Sequence, residues 1–305
     1  MLPFELTILG CSSATPTSSR NPTAQVLNMH ERYFLIDCGE ATQIQMRRYK
    51  IKIQRIDHVF ISHLHGDHYL GLPGLLGTMH LLGREKELHV YAPPGLKEII
   101  EVNNFHSKTF LRFRVVFHVI EETSPARIFE DDKLSVDIIP MNHRIPCYGF
   151  LFREKPFPRN IIKEKITEYN IPVQDIQKLK EGKDLVLEGG AHIPNAELTT
   201  DPPAPRSYAY CSDTIFERSY IDQIKNVNLL YHEATFADDM SVRAKETYHC
   251  TAKEAGSIAQ MAGAQKLIIG HYSARYNDLD VLLNEAITSF PNTVLAVEGD
   301  TYRVI

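Results

Sequence analysis

The stretch that decides the reading is FISHLHGDHYLGLPGLL, residues 60–76. Within six positions it holds His63, His65, Asp67 and His68, directly after an apolar run and directly before a glycine-rich turn. A regular strand would place His63, His65 and Asp67 on one face, whereas a loop lets such side chains converge from several directions. The apolar strand in front of them and Gly66 among them favour the loop. Imidazole and carboxylate donors together suit zinc, and also iron, manganese or nickel. Four of them exceed what one open catalytic site needs, because water also requires a position, so the pattern points to two ions.

The remaining donors have to come from distant parts of the chain. Three candidates share one context, the C-terminal end of an expected strand: His143 after VDIIPMN, Asp213 after YAYCS, and His271 after KLIIG. With these three, two ions can each take four protein contacts if Asp213 bridges them. Fourteen histidines are present in all, and a lone histidine is ordinarily a surface or core residue. His30, His58, His80, His89, His106, His118 and His192 are read that way.

Around the motif, strand-like and helix-like segments alternate. FELTILG is read as the first strand, within an N-terminus MLPFELTILG that lacks a secretory pattern. QVLNMHERYFLIDCG is a hairpin turning near His30 and Glu31, EATQIQMRRY a helix, IDHVFIS a strand, and LGLPGLLGTMHLLG a helix. Strands FRVVFHVI and LSVDIIPMNH are expected to flank an acidic turn at residues 130–132. Alternation resumes with SYAYCSD, VNLLYHEATF, helix TAKEAGSIAQMAG, KLIIGH, a helix near Asp278 to Ser289, and NTVLAVEGDTYRVI as one strand. Between the halves, residues 155–205 are polar, proline-containing and weakly periodic, far longer than an ordinary connection. The pattern is that of an α/β protein carrying an insert.

At 305 residues the chain can bury a large core; 43% of it is hydrophobic and 23% charged, as in an ordinary globular protein. No apolar run reaches the roughly 20 residues of a membrane span. Five dispersed cysteines, without a C-x-x-C pair, suit reduced thiols in a cytoplasmic protein. The net charge of −5 gives no general attraction for nucleic acid, but RRYKIKIQR, residues 47–55, concentrates five basic residues with no acidic one.

SHLHGDH is similar to the signature of the metallo-β-lactamase superfamily. Together with LIDCGEATQIQM before it, GLPGLL after it, HEATF at 232–236 and GHYSARY at 270–276, the text resembles the ribonuclease Z family of tRNA 3′-processing endonucleases over nearly the whole chain. The resemblance implies an α/β metallo-β-lactamase fold, a four-layered αβ/βα sandwich in a single domain over 1–305, with 155–205 as a protruding tRNA-binding arm. It implies two zinc ions per subunit, manganese or iron being alternatives. His63, His65 and His143 would hold one ion, Asp67, His68 and His271 the other, with Asp213 bridging and Asp67 also serving as proton acceptor.

Two ions can activate water and neutralise charge on a phosphate under attack. The leaving ribose oxygen needs a proton, and His249 in ETYHCT is the candidate donor, oriented by Glu233. The family carries a histidine there followed by Ser-Thr; Cys250 stands at the serine position. Arg20 lies on the loop that, in the family, recognises the tRNA near the cut; Ser18 stands where a lysine is usual. Arg47, Arg48, Lys178, Lys180 and Lys183 are further candidate phosphate contacts. Val173 and Gln174 replace a common Gly-Pro pair in the arm, where residues 153–188 hold eight basic and seven acidic residues. In the family the arm serves the opposite subunit, so a homodimer is expected, with precursor tRNA as the other partner and no membrane association. The competing readings are a hydrolase of small phosphodiesters or esters within the same superfamily, a metal-bearing structural or nucleic-acid-binding protein without turnover, and an iron-dependent redox enzyme, for which no flavin-binding or electron-carrier region is visible.

Overall fold

The computed structural model describes residues 2–187 and 189–305; Met1 and Glu188, the latter counted in the arm's charge above, lie outside the described residues. The chain divides into two compact units, one comprising 1–130, 136–152 and 207–305, the other 131–135 and 153–206.

The larger unit is built on two seven-stranded sheets. The first runs in the order Thr301–Arg303, Phe4–Gly10, Ala24–Met29, Arg32–Ile36, Ile56–Phe60, Leu88–Ala92, Val115–Val119. The second runs Thr293–Leu295, Lys266–Gly270, Leu229–Glu233, Ser207–Cys211, Cys147–Glu154, Leu134–Met141, Arg127–Glu130. Alternation along each strand sorts side chains to two faces. On the first sheet Leu9, Leu35, Val59 and Val90 face helices, packing with Met46, Leu72, Leu75, Leu76, Met79, Leu96 and Ile100. Helix Leu72–Leu81, expected from the sequence, buries positions 72, 75, 76 and 79 along one face. On the opposite face Phe34 and Phe60 meet Phe152 and Phe150 of the second sheet, with ring centroids 5.3–5.5 Å apart. Helices Ala252–Ala262 and Asp280–Ser289 pack together on the second sheet. Helix, sheet, sheet and helix therefore form four layers, the αβ/βα arrangement expected. No helix among the described residues is long and apolar enough to cross a membrane.

The hairpin turns where the sequence places it. Met29 pairs with Arg32, and both intervening residues, His30 and Glu31, have positive φ (55° and 65°), as a two-residue turn matching strand twist requires. Two expectations change. NTVLAVEGDTYRVI is not one strand: Thr293–Leu295 belongs to the second sheet and Thr301–Arg303 to the first. Gly299, at φ +91°, turns the chain between them, a conformation costly for any side-chain-bearing residue. The acidic turn does not join FRVVFHVI to the following strand either; an additional strand, Arg127–Glu130, stands between them and is the edge of the second sheet.

The smaller unit has its own core. Ile171, Leu179, Leu185 and Leu198 are buried there, supported by Ile161, Ile166, Tyr169, Ile176, Leu187 and Ile193. Asn195 organises it, donating through Nδ2 to the carbonyls of Leu179 and Lys183, both at 2.8 Å. In the same unit, buried Glu154 and Arg206 are paired: the guanidinium reaches both carboxylate oxygens at 2.6 and 3.1 Å, and each backbone N–H is also used.

A two-lobed donor cluster as candidate active site

Strand register brings the distant candidates together. In the second sheet the parallel strands align Cys211 with His232 and Ile269, and Glu233 with Gly270. Asp213 and His271, two and one residues past their strands, therefore emerge at one edge beside Glu233. His143 lies two residues past Leu134–Met141, and its loop is tied to the Asp213 loop: Asn142 N–H donates to Thr214 Oγ1 (3.2 Å) and Ile215 N–H to the Asn142 carbonyl (3.0 Å).

In the first sheet His63 and His65 occupy the loop after Ile56–Phe60, and Asp67 and His68 the short helix Gly66–Tyr69. That loop is clasped by the DCGEATQ text. Cys38 N–H donates to the His68 carbonyl (2.7 Å), and Gly71 N–H to the Cys38 carbonyl (2.9 Å). The backbones approach so closely that a Cβ on Gly71 would lie 2.0 Å from the Gly39 carbonyl oxygen, and one on Gly39 2.4 Å from that of Asp67. Glycine at both positions is thus a packing requirement of the site.

The donor atoms of His63, His65, His143 and Asp213 lie within 4.8 Å of one another, as do those of Asp67, His68 and His271. Asp213 serves both sets: Oδ2 is 3.5 Å from His63 Nε2, while Oδ1 is 3.3 Å from His271 Nε2 and 3.6 Å from His68 Nε2. A further combination of Asp213, His249 and His271 also meets within that range.

Hydrogen bonds behind the histidines fix which ring nitrogen faces inward. His143 Nδ1 donates to the Tyr248 carbonyl (2.9 Å) and His68 Nδ1 to Asp37 (2.7 Å). Ser62 Oγ donates to Asp37 (2.8 Å) and so accepts from His63 Nδ1 (3.0 Å). In parallel, Thr235 Oγ1 donates to Glu233 (2.7 Å) and accepts from His271 Nδ1 (2.9 Å). Each imidazole therefore turns its Nε2 lone pair inward. Inward nitrogens stand 3.2 Å apart between His68 and His271, and His143 Nε2 is 3.2 Å from His65 Nδ1. Asp213 Oδ1 is buried and accepts no hydrogen bond. Converging lone pairs and an orphaned buried carboxylate oxygen call for cations, with outer partners of the kind that orient metal-binding histidines. The residues present fit divalent metal ions.

Electrostatics agree. Burial holds His63 well below the usual imidazole pKa, and it lowers His65 and His143 too, leaving them neutral. Burial opposes ionisation of Asp67, but His68 and His271 outweigh it and keep the carboxyl well below its usual range. His68 is also disfavoured as a cation by burial, yet Asp213, Asp67 and Asp37 raise its pKa well above normal. Positive charge is in demand at that point, and a metal ion on Nε2 meets the same demand as a proton.

His249 is different. Burial opposes its charge, but the Glu233 carboxylate 3.1 Å from Nδ1 outweighs it, by charge and hydrogen bond, and Asp213 adds to this; its pKa is pushed up to about 9. Glu233 itself is fully buried and also accepts from Cys250 N–H (2.8 Å) and Thr235 N–H (3.0 Å). The ring of His249 lines a cleft of about 440 Å³ together with His65, Asp67, His143, Arg144 and Asp213.

The other sequence candidates lie elsewhere. Arg20 donates to the carbonyls of Tyr276 (2.8 Å) and Ser273 (3.5 Å). Arg47 and Arg48 are exposed in the last turn of helix Thr42–Arg48, while Glu40, before its first turn, lines the cleft. In the smaller unit Lys178 is exposed and paired with Asp175 (2.7 Å), Lys183 pairs with Glu181 (3.2 Å), and Lys180 is half-buried. Sequence reasoning missed Asp37, Ser62 and Thr235. Asp37 and Thr235 stand inside quoted motifs, and Ser62 directly precedes His63, which is the only signal they give.

A family model described as Anti-Pycsar protein Apyc1 matches residues 4–160, which stop short of Asp213, Glu233, His249 and His271. Similarity to curated proteins runs further. A Ribonuclease Z of Bacteroides fragilis (strain YCH46) is 49% identical over 297 residues, 97% of each chain, and one of Bacteroides thetaiotaomicron is 50% identical over 297 residues, 97% of this chain and 94% of its own. The chain belongs to the ribonuclease Z family. Among solved structures, the short form of human tRNase Z superposes with a TM-score of 0.72 at 25% identity, covering 99% of both chains. YhfI of Bacillus subtilis, a metallo-β-lactamase fold protein, superposes with a TM-score of 0.70 at 19% identity over 99% of both, a likeness of fold. In this member of the ribonuclease Z family, the stretches that clasp the donor cluster are DCGEATQ behind His68, GLPGLL against Gly39, and HEATF behind His249 and His271.

Proposed function

We propose that this chain is a metal-dependent endoribonuclease that removes 3′ trailers from tRNA precursors by hydrolysing one phosphodiester bond. The observation that carries the reading is the pair of donor sets meeting at Asp213 with the buried Glu233–His249 pair beside them. Divalent ions held there would supply an activated water and neutralise charge on the phosphate. His63, His65 and His143 would hold one, Asp67, His68 and His271 the other, with Asp213 within reach of both; the imidazole-rich set would favour zinc over manganese or iron. Asp67 accepts the proton of the attacking water. As the water oxygen bonds to phosphorus and the P–O3′ bond breaks, the electron pair stays on O3′, which takes its proton from His249. Glu233 keeps His249 charged for that step, so the acid is ready at neutral pH.

Lys178, Lys180 and Lys183 of the arm, with Arg20, Arg47 and Arg48, are read as contacts to the tRNA backbone. Five buried, unpaired cysteines support a cytoplasmic setting, and the homodimer rests on the family resemblance. Light scattering in solution tests the dimer.

The deciding experiment is cleavage of a 3′-extended tRNA transcript by the metal-loaded protein and by Asp67→Ala, with the cut mapped. A cut just after the discriminator base, lost in the variant, is the expected result. No cut in tRNA, with metal-dependent hydrolysis of a simple phosphodiester, would overturn the tRNA reading in favour of a small-phosphodiester hydrolase.

A further inference from the structure

His249 lines two cavities. One is the cleft of the metal-binding donors; the other, of about 360 Å³, is bounded by Ile215, Phe216, Ser241, Val242, Lys245 and Glu254, whose carboxylate accepts from the Thr251 N–H (2.8 Å), and, among the described residues, by none of the seven ligands. A group that protonates the leaving oxygen must touch it, so the nucleoside bearing that oxygen has to lie against His249. The second cavity satisfies this without overlapping the ligands. Its volume is within the roughly 300–1,000 Å³ range of small-molecule sites. Its walls have the chemistry of a base site: the Phe216 ring offers a stacking surface, Val242 is 74% exposed, Ile215 is apolar, and Lys245 is an exposed cation.

The walls are also in register with the chemistry. Phe216 follows the bridging Asp213 by three residues, and Ile215 N–H is fixed on the Asn142 carbonyl (3.0 Å) beside His143. Ser241, Val242 and Lys245 come from helix Ser241–Thr247, which leads into His249, whose N–H is held by the Ala244 carbonyl (2.9 Å). We propose that this cavity binds the last retained nucleoside, the one whose O3′ leaves, with its base on Phe216 and its 5′ phosphate near Lys245. The proposal rests on the endoribonuclease reading above.

The test uses 3′-extended tRNA transcripts in which the nucleotide 5′ of the cut is either intact or abasic, cleaved by wild type, Phe216→Ala and Phe216→Tyr. Wild type is expected to lose about tenfold or more in kcat/KM on the abasic RNA. Phe216→Ala loses a similar factor on intact RNA and becomes indifferent to the missing base, while Phe216→Tyr keeps the discrimination. Each comparison sets two RNAs against one enzyme preparation, so partial misfolding of a variant cancels in the ratio. Equal cutting of both RNAs by wild type, or an unchanged preference in Phe216→Ala, would overturn the base site and leave the endoribonuclease intact. If neither RNA is cut while bis(p-nitrophenyl) phosphate is hydrolysed, the endoribonuclease reading fails and the base site with it.

Discussion

Asp37 and Glu233 stand behind the site in the same way. Each buried carboxylate takes one imidazole directly, His68 for Asp37 and His249 for Glu233. Each holds a second through a hydroxyl, Ser62 to His63 and Thr235 to His271. Asp37 directly follows strand Arg32–Ile36 of the first sheet and Glu233 ends strand Leu229–Glu233 of the second, so the site is oriented from both of its walls.

Asp37→Ala removes the acceptor of the His68 ring, the Ser62 N–H and hydroxyl, and the Tyr210 hydroxyl. Metal affinity should fall about 10–100-fold as His68 and His63 lose their orientation, and buried donors left without a partner should cost roughly 1–3 kcal/mol of stability each. Metal titration against a competing chelator and urea unfolding read the two effects. Wild-type metal affinity in this variant would contradict the role given to Asp37.

Glu233→Gln takes away the charge that sustains His249. The pKa of His249 stands at about 9, so its proton is present at neutral pH and lost as the pH rises through that value. With glutamine the alkaline limb of the pH–rate profile should move down by roughly one unit or more. At pH 8 kcat should drop, with partial recovery at pH 6. An alkaline limb that stays in place would remove His249 from the acid role.

Filling the donor cluster should stabilise the folded chain. Metal at a hundred times its dissociation constant adds about 2.7 kcal/mol per independent site. Unfolding in urea with and without zinc should show this gain in the wild type and lose most of it in Asp213→Ala, because Asp213 faces both donor sets. Equal gains in both proteins would mean that the two sets do not share Asp213.

Arg206→Ala leaves Glu154 buried without its guanidinium, which should cost roughly 3–5 kcal/mol. The loss belongs to the unit of residues 153–206, so limited proteolysis should speed up within that segment first. Replacing both partners, Glu154→Leu with Arg206→Met, should recover much of the loss. Failure of the double variant to recover would assign the clamp to geometry, not to charge balance.

The site was legible where unusual residue types crowd together. His63, His65, Asp67 and His68 announce themselves, and His143, Asp213 and His271 could be found because each ends a strand of recognisable pattern. Asp37, Ser62 and Thr235 could not, since an aspartate or hydroxyl beside a strand end is common; only burial and partners mark them out. The split of residues 292–305 between two sheets was hidden by continuous strand-like text, with Gly299 the sole punctuation. Arg127–Glu130 is four residues long with no buried face, too short for a period to show. In the arm, Ile171, Leu179, Leu185 and Leu198 build a core at spacings that fit no single helix or strand.

The pairing of Phe4–Gly10 with Thr301–Arg303 sets a schedule for birth on the ribosome. At roughly 5–20 residues per second, the first of these strands waits about 15–60 seconds for that neighbour to be synthesised. Meanwhile its edge, with Leu6 and Ile8 destined for complete burial, is an invitation to wrong partners. A nascent chain of this protein should therefore depend on chaperones until residue 303 clears the exit tunnel.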